Sequence, residues 1–276
     1  MKKFENILLA SDVDGTFAWK FSYINPKNLE AIEYFKQNGG RFLFSSGRNT
    51  KDVRFMIEDM DALVNAPCVL CNGSLLYDLK TDKCENEYFL DEKEAVELVK
   101  FIREYDITMG WRASYIGGFC ICAEDTSIIE SLRRNNLLQF AKIVPFKELD
   151  GKGYYKAVIN STKEKLAPLY GILSEKFKNL DFTTSVETLI EICPKGITKA
   201  TQLEYLRNKY ETNGCDIKVV CVGDYDNDID MLKYADLSFC PSNARDNVKE
   251  ICDIEVCHCQ DGAIYEVIKY LDEHPF

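Results

Sequence analysis

The sequence predicts an α/β fold in which a parallel, Rossmann-like sheet core is interrupted by an inserted α+β domain. Apolar strand-like runs alternate with helical segments in residues 1–83, a pattern typical of parallel sheets with helical crossovers. The same alternation resumes at Pro194 and continues through residues 194–276. Residues 84–193 contain more strand-like runs and fewer helices, which is typical of an α+β unit. We therefore expect a discontinuous core and a second domain between its two parts.

The first part of the core begins with Ile7–Ser11, an unbroken apolar run expected of a parallel strand that is buried on both faces. Asn25 followed by Pro26 predicts the start of a helix, and Gly39 with Gly40 predicts its end. The other predicted elements of this part are strands at 41–45, 68–71 and 74–77 and a helix from Asn49 or Thr50 to about Met60.

Polar residues 81–87 predict a loop where the first part of the core gives way to the insert. The strands of residues 84–193 are expected to form an antiparallel sheet with helices on one face. Predicted strands lie at 108–114, 118–123, 154–160 and 181–192, and predicted helices at 91–105, 127–132 and 163–178. After Pro194 we expect helices at 198–211, 226–234, 244–251 and 261–271, with strands at 217–222, 237–240 and 254–257.

The composition restricts the possible partners. Lys and Arg total 34 against 45 Asp and Glu, a formal net charge of −11. Nucleic acid and anionic membranes repel such a chain, whereas a local metal ion can still attract a phosphorylated metabolite. No apolar run is long enough to span a membrane, and the N-terminus enters a core strand almost at once. We expect a cytoplasmic protein with no obligate protein partner.

Twelve cysteines occur, some of them in spacings that resemble fragments of metal or redox motifs. The fragments lie in apolar strand-like runs, no second pair stands at zinc-site spacing, and the chain has only two histidines. We therefore expect buried structural thiols, with a zinc or disulfide role as the alternative.

The most informative motif is Asp12-Val13-Asp14-Gly15-Thr16, directly after the first apolar strand. Side chains two residues apart in a strand point the same way, so both carboxylates meet at a strand end, where open α/β sheets bind ligands. Gly15 allows a sharp turn. Because two neighbouring carboxylates repel each other, the motif predicts a bound cation.

A second acidic motif, containing Asp224, Asn227 and Asp228, follows another apolar strand. Oxygen atoms from both motifs would suit a hard cation such as Mg²⁺, although Asp and Asn also cap helices. Lys199 lies at a predicted helix start, where the dipole favours acids, so we expect an anionic neighbour. Ser46, which is followed by Gly47, lies at a third strand end.

In this order, the motifs resemble those of the haloacid dehalogenase-like phosphohydrolases, and the resemblance covers most of both core segments. The insert falls between Ser46 and Lys199, and its length and strand-rich character resemble the cap domain of the Cof-type subgroup. The resemblance implies a Mg²⁺-dependent phosphatase that hydrolyses a small phosphorylated metabolite, expected to be a sugar phosphate, through an aspartyl-phosphate.

By similarity, Asp12 would be the nucleophile and Asp14 the general acid and base. Mg²⁺ would bind Asp12, the backbone carbonyl of Asp14, and Asp224. The phosphate would bind to Ser46, Gly47, Lys199 and Asn227, and Asp228 would lie behind the metal or fix Lys199.

The resemblance also assigns specificity to the inserted domain, where Arg112, Tyr115 and Glu191 are the candidate residues. A phosphotransferase or phosphomutase would keep the same aspartates and transfer the phosphoryl group to a second sugar. A non-catalytic phosphate-binding protein is the other alternative, but it would have no need of an acid and base such as Asp14.

Overall fold

The computed structural model describes residues 2–20, 23–57, 59–183, 186–212, 214 and 216–276. The chain divides into two compact units. The first comprises Met1–Gly47, Val53–Asn86 and Thr198–Phe276, and the second comprises Arg48–Asp52 and Glu87–Ile197. The short segment 48–52 therefore groups with the second unit, which the sequence-based boundaries did not anticipate.

The strands and α-helices are numbered in chain order. The strands are β1 (Ile7–Ser11), β2 (Ala18–Trp19), β3 (Tyr23–Ile24), β4 (Arg41–Phe44), β5 (Cys68–Leu70), β6 (Leu75–Asp78), β7 (Lys83–Glu87), β8 (Gly110–Tyr115), β9 (Gly118–Cys122), β10 (Ala141–Val144), β11 (Lys156–Asn160), β12 (Leu180–Thr183), β13 (Leu189–Pro194), β14 (Lys218–Val222), β15 (Leu237–Pro241) and β16 (Ile254–Val256). The α-helices are α1 (Pro26–Gln37), α2 (Thr50–Met56), α3 (Met60–Leu63), α4 (Glu92–Tyr105), α5 (Thr126–Arg134), α6 (Lys163–Lys176), α7 (Lys199–Thr212), α8 (Ile229–Tyr234), α9 (Asp246–Lys249) and α10 (Ala263–Glu273).

The first unit is built on a parallel sheet with the strand order β16-β15-β14-β1-β4. All five residues of β1 are buried because the strand lies between β14 and β4 in the centre of this sheet. Both ends of the chain contribute strands, so the sheet assembles residues that are about 200 positions apart. This arrangement confirms the predicted α/β class with a parallel core.

Local signals in the first unit account for several element ends. The Asn25 side chain accepts a hydrogen bond from the backbone N–H of Lys27, which caps α1 ahead of Pro26. The Asn49 side chain caps α2 in the same way, but α2 ends at Met56 rather than near Met60. Residues 81–87 are not all loop, because 83–87 form β7 beside β6 in a small separate sheet.

The second unit is built on a mixed sheet with the order β10-β9-β8-β11-β13-β12. Neighbouring strands of this sheet are antiparallel, except that β9 and β10 are parallel. Strand β10 was not predicted from the sequence. Side chains of α4 and α6 pack on one face. Ile128 and Leu132 of α5 pack on the other face, against Phe119 and Ile121, so the expectation of helices on one face was wrong.

Three further features concern a predicted strand, the cysteines and membrane-spanning helices. The strand predicted at 181–192 is two antiparallel strands, β12 and β13, and positions 184 and 185 within it lie outside the described residues. The cysteines that the structure describes are all free thiols, most of them buried. No helix in the described ranges has the length and apolar character needed to cross a bilayer.

Candidate active site

The carboxyl ends of the central strands bring distant polar residues to one edge of the parallel sheet. Ser11, the last residue of β1, is level with Val222 of β14 and Phe44 of β4. The Asp12 backbone N–H donates to the Val222 carbonyl at 2.9 Å, and that of Ser45 donates to the Ser11 carbonyl at 2.8 Å. The residues that follow these strands therefore lie at the same edge, as the topology of open α/β sheets requires.

A buried lysine joins two of the predicted acidic residues. Lys199 is the first residue of α7 and is fully buried. Its Nζ donates to Asp12 Oδ1 at 2.7 Å and to Asp228 Oδ1 at 2.6 Å. Asp228 Oδ2 accepts from the backbone N–H groups of Asp224 and Tyr225 at 3.0 and 3.1 Å. Asp228 thus fixes both the ammonium group and the loop that carries Asp224.

The Asp12 loop and the Asp224 loop also contact each other directly. Thr16 Oγ1 donates to Asp224 Oδ1 at 2.8 Å. Gly15 has a φ of +85°, and a Cβ atom built there would lie 2.4 Å from Asp224 Oδ2. Asn243 Nδ2 donates to the Gly15 carbonyl at 2.7 Å. Glycine is required at position 15 because the turn is left-handed and a carboxylate occupies the space of a side chain.

A third loop, residues 71–73, contacts the start of α7. Gly73 has a φ of +97°, and a Cβ atom there would lie 1.9 Å from the Thr198 carbonyl oxygen. Gln202 Nε2 donates to the Gly73 carbonyl at 2.9 Å. Asn72, also left-handed at φ +58°, accepts a hydrogen bond from Asn227 Nδ2 at 3.2 Å. This contact fixes the orientation of the Asn227 amide.

The electrostatics of the cluster favour a further positive charge. Burial raises the pKa of Asp12 well above its ordinary value, and the Asp228 and Asp224 carboxylates add to this effect while Lys199 opposes it. Burial and Asp228 raise the pKa of Asp224 to about 7 against the hydrogen bond from Thr16. Burial lowers the pKa of Lys199, but Asp12 and Asp228 more than offset it, so the ammonium form is held.

The donor set fits a hard divalent cation. Asp12, Asp224 and Asp228 are all buried and each offers a carboxylate oxygen within 4.8 Å of the other two. Three carboxylates and one ammonium carry two excess negative charges when ionised, which a divalent ion would balance. Oxygen-only ligands of this kind suit Mg²⁺. No cysteine belongs to a metal-sized cluster of the described residues.

The other core residues predicted from the sequence lie on the same loops. Asp14 is exposed, two residues beyond Asp12, and its carboxylate is not part of the three-carboxylate group. Ser46 is buried, its backbone N–H donates to the Val69 carbonyl at 2.8 Å, and Gly47 follows it. The backbone N–H of Asn72 donates to the Ser46 carbonyl at 3.1 Å, so the Ser46 loop and the Asn72 loop are joined.

The three residues predicted in the second unit do not share one surface of its sheet. Arg112 and Glu191 lie on the same face, each level with Val158 on the strand between them. Tyr115 lies on the opposite face, partly buried against the hydrophobic cluster under α4 and α6. The structure therefore places Arg112 and Glu191 on one face of the sheet, on the two strands that flank β11, and Tyr115 on the other face.

Sequence reasoning missed three residues that position the site. Thr16 donates to Asp224, Asn72 accepts from Asn227, and Asn243 donates to the Gly15 carbonyl; none of these contacts was among the sequence-based predictions. A polar residue next to glycine at a strand end is the only signal that the sequence offers for Asn72. The partners of all three are far away in the chain.

Comparisons with known proteins agree with this arrangement. The sequence profile of haloacid dehalogenase-like hydrolases matches residues 9–268. A Bacillus subtilis 5-amino-6-(5-phospho-D-ribitylamino)uracil phosphatase is 26% identical over 261 residues, covering 92% of each chain. The structure of a haloacid dehalogenase-like hydrolase from B. subtilis superposes with a TM-score of 0.81 at 20% identity, covering 96% of this chain and 99% of that one. A sugar phosphatase of haloacid dehalogenase subclass IIB gives 0.79 at 16% identity, covering 96% and 98%. The expected Cof-type resemblance is confirmed: the chain is an enzyme of the haloacid dehalogenase-like hydrolase family.

Proposed function

We propose that this hydrolase is a Mg²⁺-dependent phosphatase that hydrolyses a small phosphorylated metabolite, a sugar phosphate, through an aspartyl-phosphate on Asp12. The observation that carries the proposal is the buried cluster of Asp12, Asp224, Asp228 and Lys199. The first unit would be the catalytic core and the second the cap. A relative whose substrate carries a phosphorylated ribityl chain supports a sugar-like leaving group.

Asp12 supplies the nucleophile in this proposal. One of its oxygens forms a bond to phosphorus while the bond between phosphorus and the ester oxygen breaks. Asp14 is exposed next to it and would give a proton to the departing alkoxide, then take one from the water that hydrolyses the aspartyl-phosphate. Free phosphate and an alcohol are the products.

The remaining residues hold the charges in place. Mg²⁺ would be held by Asp12, Asp224 and the backbone carbonyl of Asp14, and when bound it offsets repulsion between carboxylates and phosphate. Lys199, the Ser46 hydroxyl, the Gly47 backbone and the Asn227 amide would bind the phosphoryl oxygens. Asp228 orients Lys199, because Lys199 Nζ donates to Asp228 Oδ1 at 2.6 Å.

Removal of the metal gives the first prediction. We expect the protein to release inorganic phosphate from sugar phosphates with Mg²⁺ and to lose at least about 100-fold in rate after treatment with EDTA, because repulsion in the site is then uncompensated. The measurement is a phosphate-release screen over phosphorylated sugars, nucleotides and cofactors, repeated after Mg²⁺ is restored. Equal rates with and without metal would contradict the cofactor assignment.

A phosphatase and a phosphotransferase could use the same aspartates, but they differ in the phosphoryl acceptor. The acceptor is water in a phosphatase and a second sugar in a phosphotransferase. Reaction in ¹⁸O-labelled water should place the label in released phosphate, whereas transfer to a second sugar would yield a new phosphate ester and little free phosphate. Absence of any turnover together with phosphate binding would instead favour the non-catalytic alternative.

The role of Asp14 gives the second prediction. We expect Asp14→Asn to lower kcat for an alkyl phosphate by about 10²–10⁴-fold, because the alkoxide then leaves without a proton. With p-nitrophenyl phosphate, the rate of aspartyl-phosphate formation should fall by a factor at least tenfold smaller, because the nitrophenolate leaving group needs no proton. Single-turnover kinetics with both esters measure this difference, and equal losses would exclude Asp14 as the acid.

A further inference from the structure

The loop that follows β15, residues 242–245 and here called the bridging loop, contacts both acidic loops of the active site. Asn243 Nδ2 donates to the Gly15 carbonyl at 2.7 Å, in the first acidic loop. Two residues later, the Arg245 backbone N–H donates to the Asp224 carbonyl at 3.1 Å, in the second. All of these residues belong to the first unit, and the bridging loop itself contains no acidic residue. It therefore joins the two loops that would hold Mg²⁺ without offering a carboxylate of its own.

The side-chain amide of Asn243 is fixed at both of its polar atoms. Its Oδ1 accepts from the Cys259 backbone N–H at 2.9 Å, while its Nδ2 donates to the Gly15 carbonyl. Because an N–H needs an acceptor and a carbonyl needs a donor, only one orientation of the amide satisfies both partners. An aspartate at this position would keep the bond to Cys259 and lose the bond to Gly15.

Gly15 is the residue of the first acidic loop with the greatest backbone freedom. It is left-handed, with a φ of +85°, and glycine loses more conformational freedom on folding than any other residue. Its N–H donates to the Ala18 carbonyl at 2.9 Å, which fixes the peptide group before it. The bond from Asn243 fixes the peptide group after it. The two peptide groups that flank Gly15 are therefore each held by a hydrogen bond.

These two peptide groups lead to the ligands that the proposed function assigns to the metal. The peptide group before Gly15 contains the Asp14 carbonyl, which is the backbone ligand of the proposal. The peptide group after it contains the backbone nitrogen of Thr16, whose Oγ1 donates to Asp224 Oδ1 at 2.8 Å. Rotation about the backbone of Gly15 would therefore move the Asp14 carbonyl relative to Thr16, and hence relative to Asp224. The bond from Asn243 opposes this rotation.

A residue that orients metal ligands can determine metal affinity without contacting the metal. Its removal typically lowers the affinity by about 10- to 100-fold. One neutral hydrogen bond contributes only modestly to the stability of a whole fold. Effects on metal affinity and on fold stability can therefore be separated by measuring each of them.

We propose that Asn243 is a positioning residue that sets the affinity of the active site for Mg²⁺. It would do so by holding the peptide group between Gly15 and Thr16, so that the Asp14 carbonyl and the Asp224 carboxylate stay within reach of one ion. This inference rests on the metal site of the proposed phosphatase. It adds a residue that would itself bind neither the metal nor the phosphoryl group.

The test measures the binding of Mg²⁺ alone to the metal-free protein by isothermal titration calorimetry. Asn243→Asp keeps the shape of the side chain and the acceptor for Cys259, but it lacks the donor to Gly15. We expect its Kd for Mg²⁺ to be at least about tenfold higher than that of wild type. An added negative charge would by itself attract the cation, so the expected change is opposite in sign to a simple charge effect. Asn243→Ala, which loses both bonds, should also raise the Kd at least about tenfold.

The matched control is Asn247→Asp, which makes the same exchange four positions along the chain. Asn247 is exposed, and its Nδ2 donates to Asp226 rather than to Gly15. We expect its Kd for Mg²⁺ to stay within about threefold of wild type, because salt screens an exposed charge.

Thr16→Val tests the other half of the route from Asn243 to Asp224. Valine has the shape of threonine and lacks the donor to Asp224 Oδ1. We expect a higher Kd for Mg²⁺ in this variant too. In the double variant with Asn243→Ala, the Kd should rise by less than the product of the two single effects, because both residues act through one peptide group.

Urea unfolding in EDTA measures how far each variant is destabilised without metal. A purely structural role of Asn243 would lower stability and leave the Kd of the folded protein unchanged. The inference is overturned if Asn243→Asp or Asn243→Ala binds Mg²⁺ with a Kd equal to or lower than that of wild type, or if Asn247→Asp raises the Kd equally. Should the Asn243 variants fail to fold, an unchanged Kd in Thr16→Val would still overturn it. Absence of Mg²⁺ binding by wild type would instead contradict the metal assignment of the proposed function itself.

Discussion

Asp12→Asn should abolish phosphate release, with kcat lowered on the order of 10⁴-fold or more for every ester at saturating Mg²⁺. The amide has nearly the shape of the carboxylate, so the fold and the contact with Lys199 Nζ can be retained through the amide oxygen. The amide cannot attack phosphorus as a carboxylate does, so no acyl phosphate forms. Phosphate release, together with trapping of the phosphorylated protein in acid, measures both parts of the prediction.

The matched control is Asp226→Asn, which changes a carboxylate in the same loop as Asp224. Asp226 lies 2.5 Å from Arg245 Nη1 and 2.8 Å from Asn247 Nδ2, and it is not a member of the three-carboxylate group. We expect its kcat to stay within about threefold of wild type, because exposed ion pairs contribute little. Wild-type turnover by a folded Asp12→Asn variant would show that another group is the nucleophile.

The central site could be predicted because strand periodicity and strand ends are local properties of a sequence. An apolar run followed by an acidic motif occurs at both Asp12 and Asp224, and parallel pairing of β1 with β14 then brings the two together. The position of Lys199 was predicted from an unfavourable charge at a helix start, and the structure supplies its anionic neighbours.

Properties that depend on side-chain contacts between distant segments could not be predicted. The bond from Thr16 to Asp224 joins residues 208 positions apart, and nothing local in either segment indicates it. Segment 48–52 groups with the second unit although it follows a core loop directly. From the sequence, Tyr115 and Arg112 are equally good candidates for specificity residues. Only the strand register shows that they lie on opposite faces of the sheet.

Lys199→Met should destabilise the protein by about 3–5 kcal/mol in the absence of metal, since it leaves the buried Asp12 and Asp228 carboxylates without their shared ammonium. Methionine fills a similar volume, so little of the loss comes from a cavity. We also expect kcat to fall by about 10²–10³-fold, because one positive charge is lost from the phosphate site. Urea unfolding with EDTA measures stability, and phosphate release measures activity.

Lys209→Met is the control on the same helix. Lys209 is exposed and ion-paired with Glu85 at 2.6 Å, so its loss should cost less than about 1 kcal/mol and leave kcat unchanged. A small effect of Lys199→Met on stability, comparable to that of Lys209→Met, would show that the buried carboxylates do not depend on the ammonium.

A double-mutant cycle with Asp228→Asn separates charge from packing. If the Lys199→Met deficit arises from an uncompensated carboxylate, removing the charge of Asp228 should recover part of it, so that the double variant is more stable than Lys199→Met alone. The asparagine oxygen can still accept from the Asp224 and Tyr225 backbone N–H groups, which keeps the loop in place. If Lys199 only filled space, the two losses would add. The sign of the coupling energy therefore decides whether charge or packing holds the cluster together.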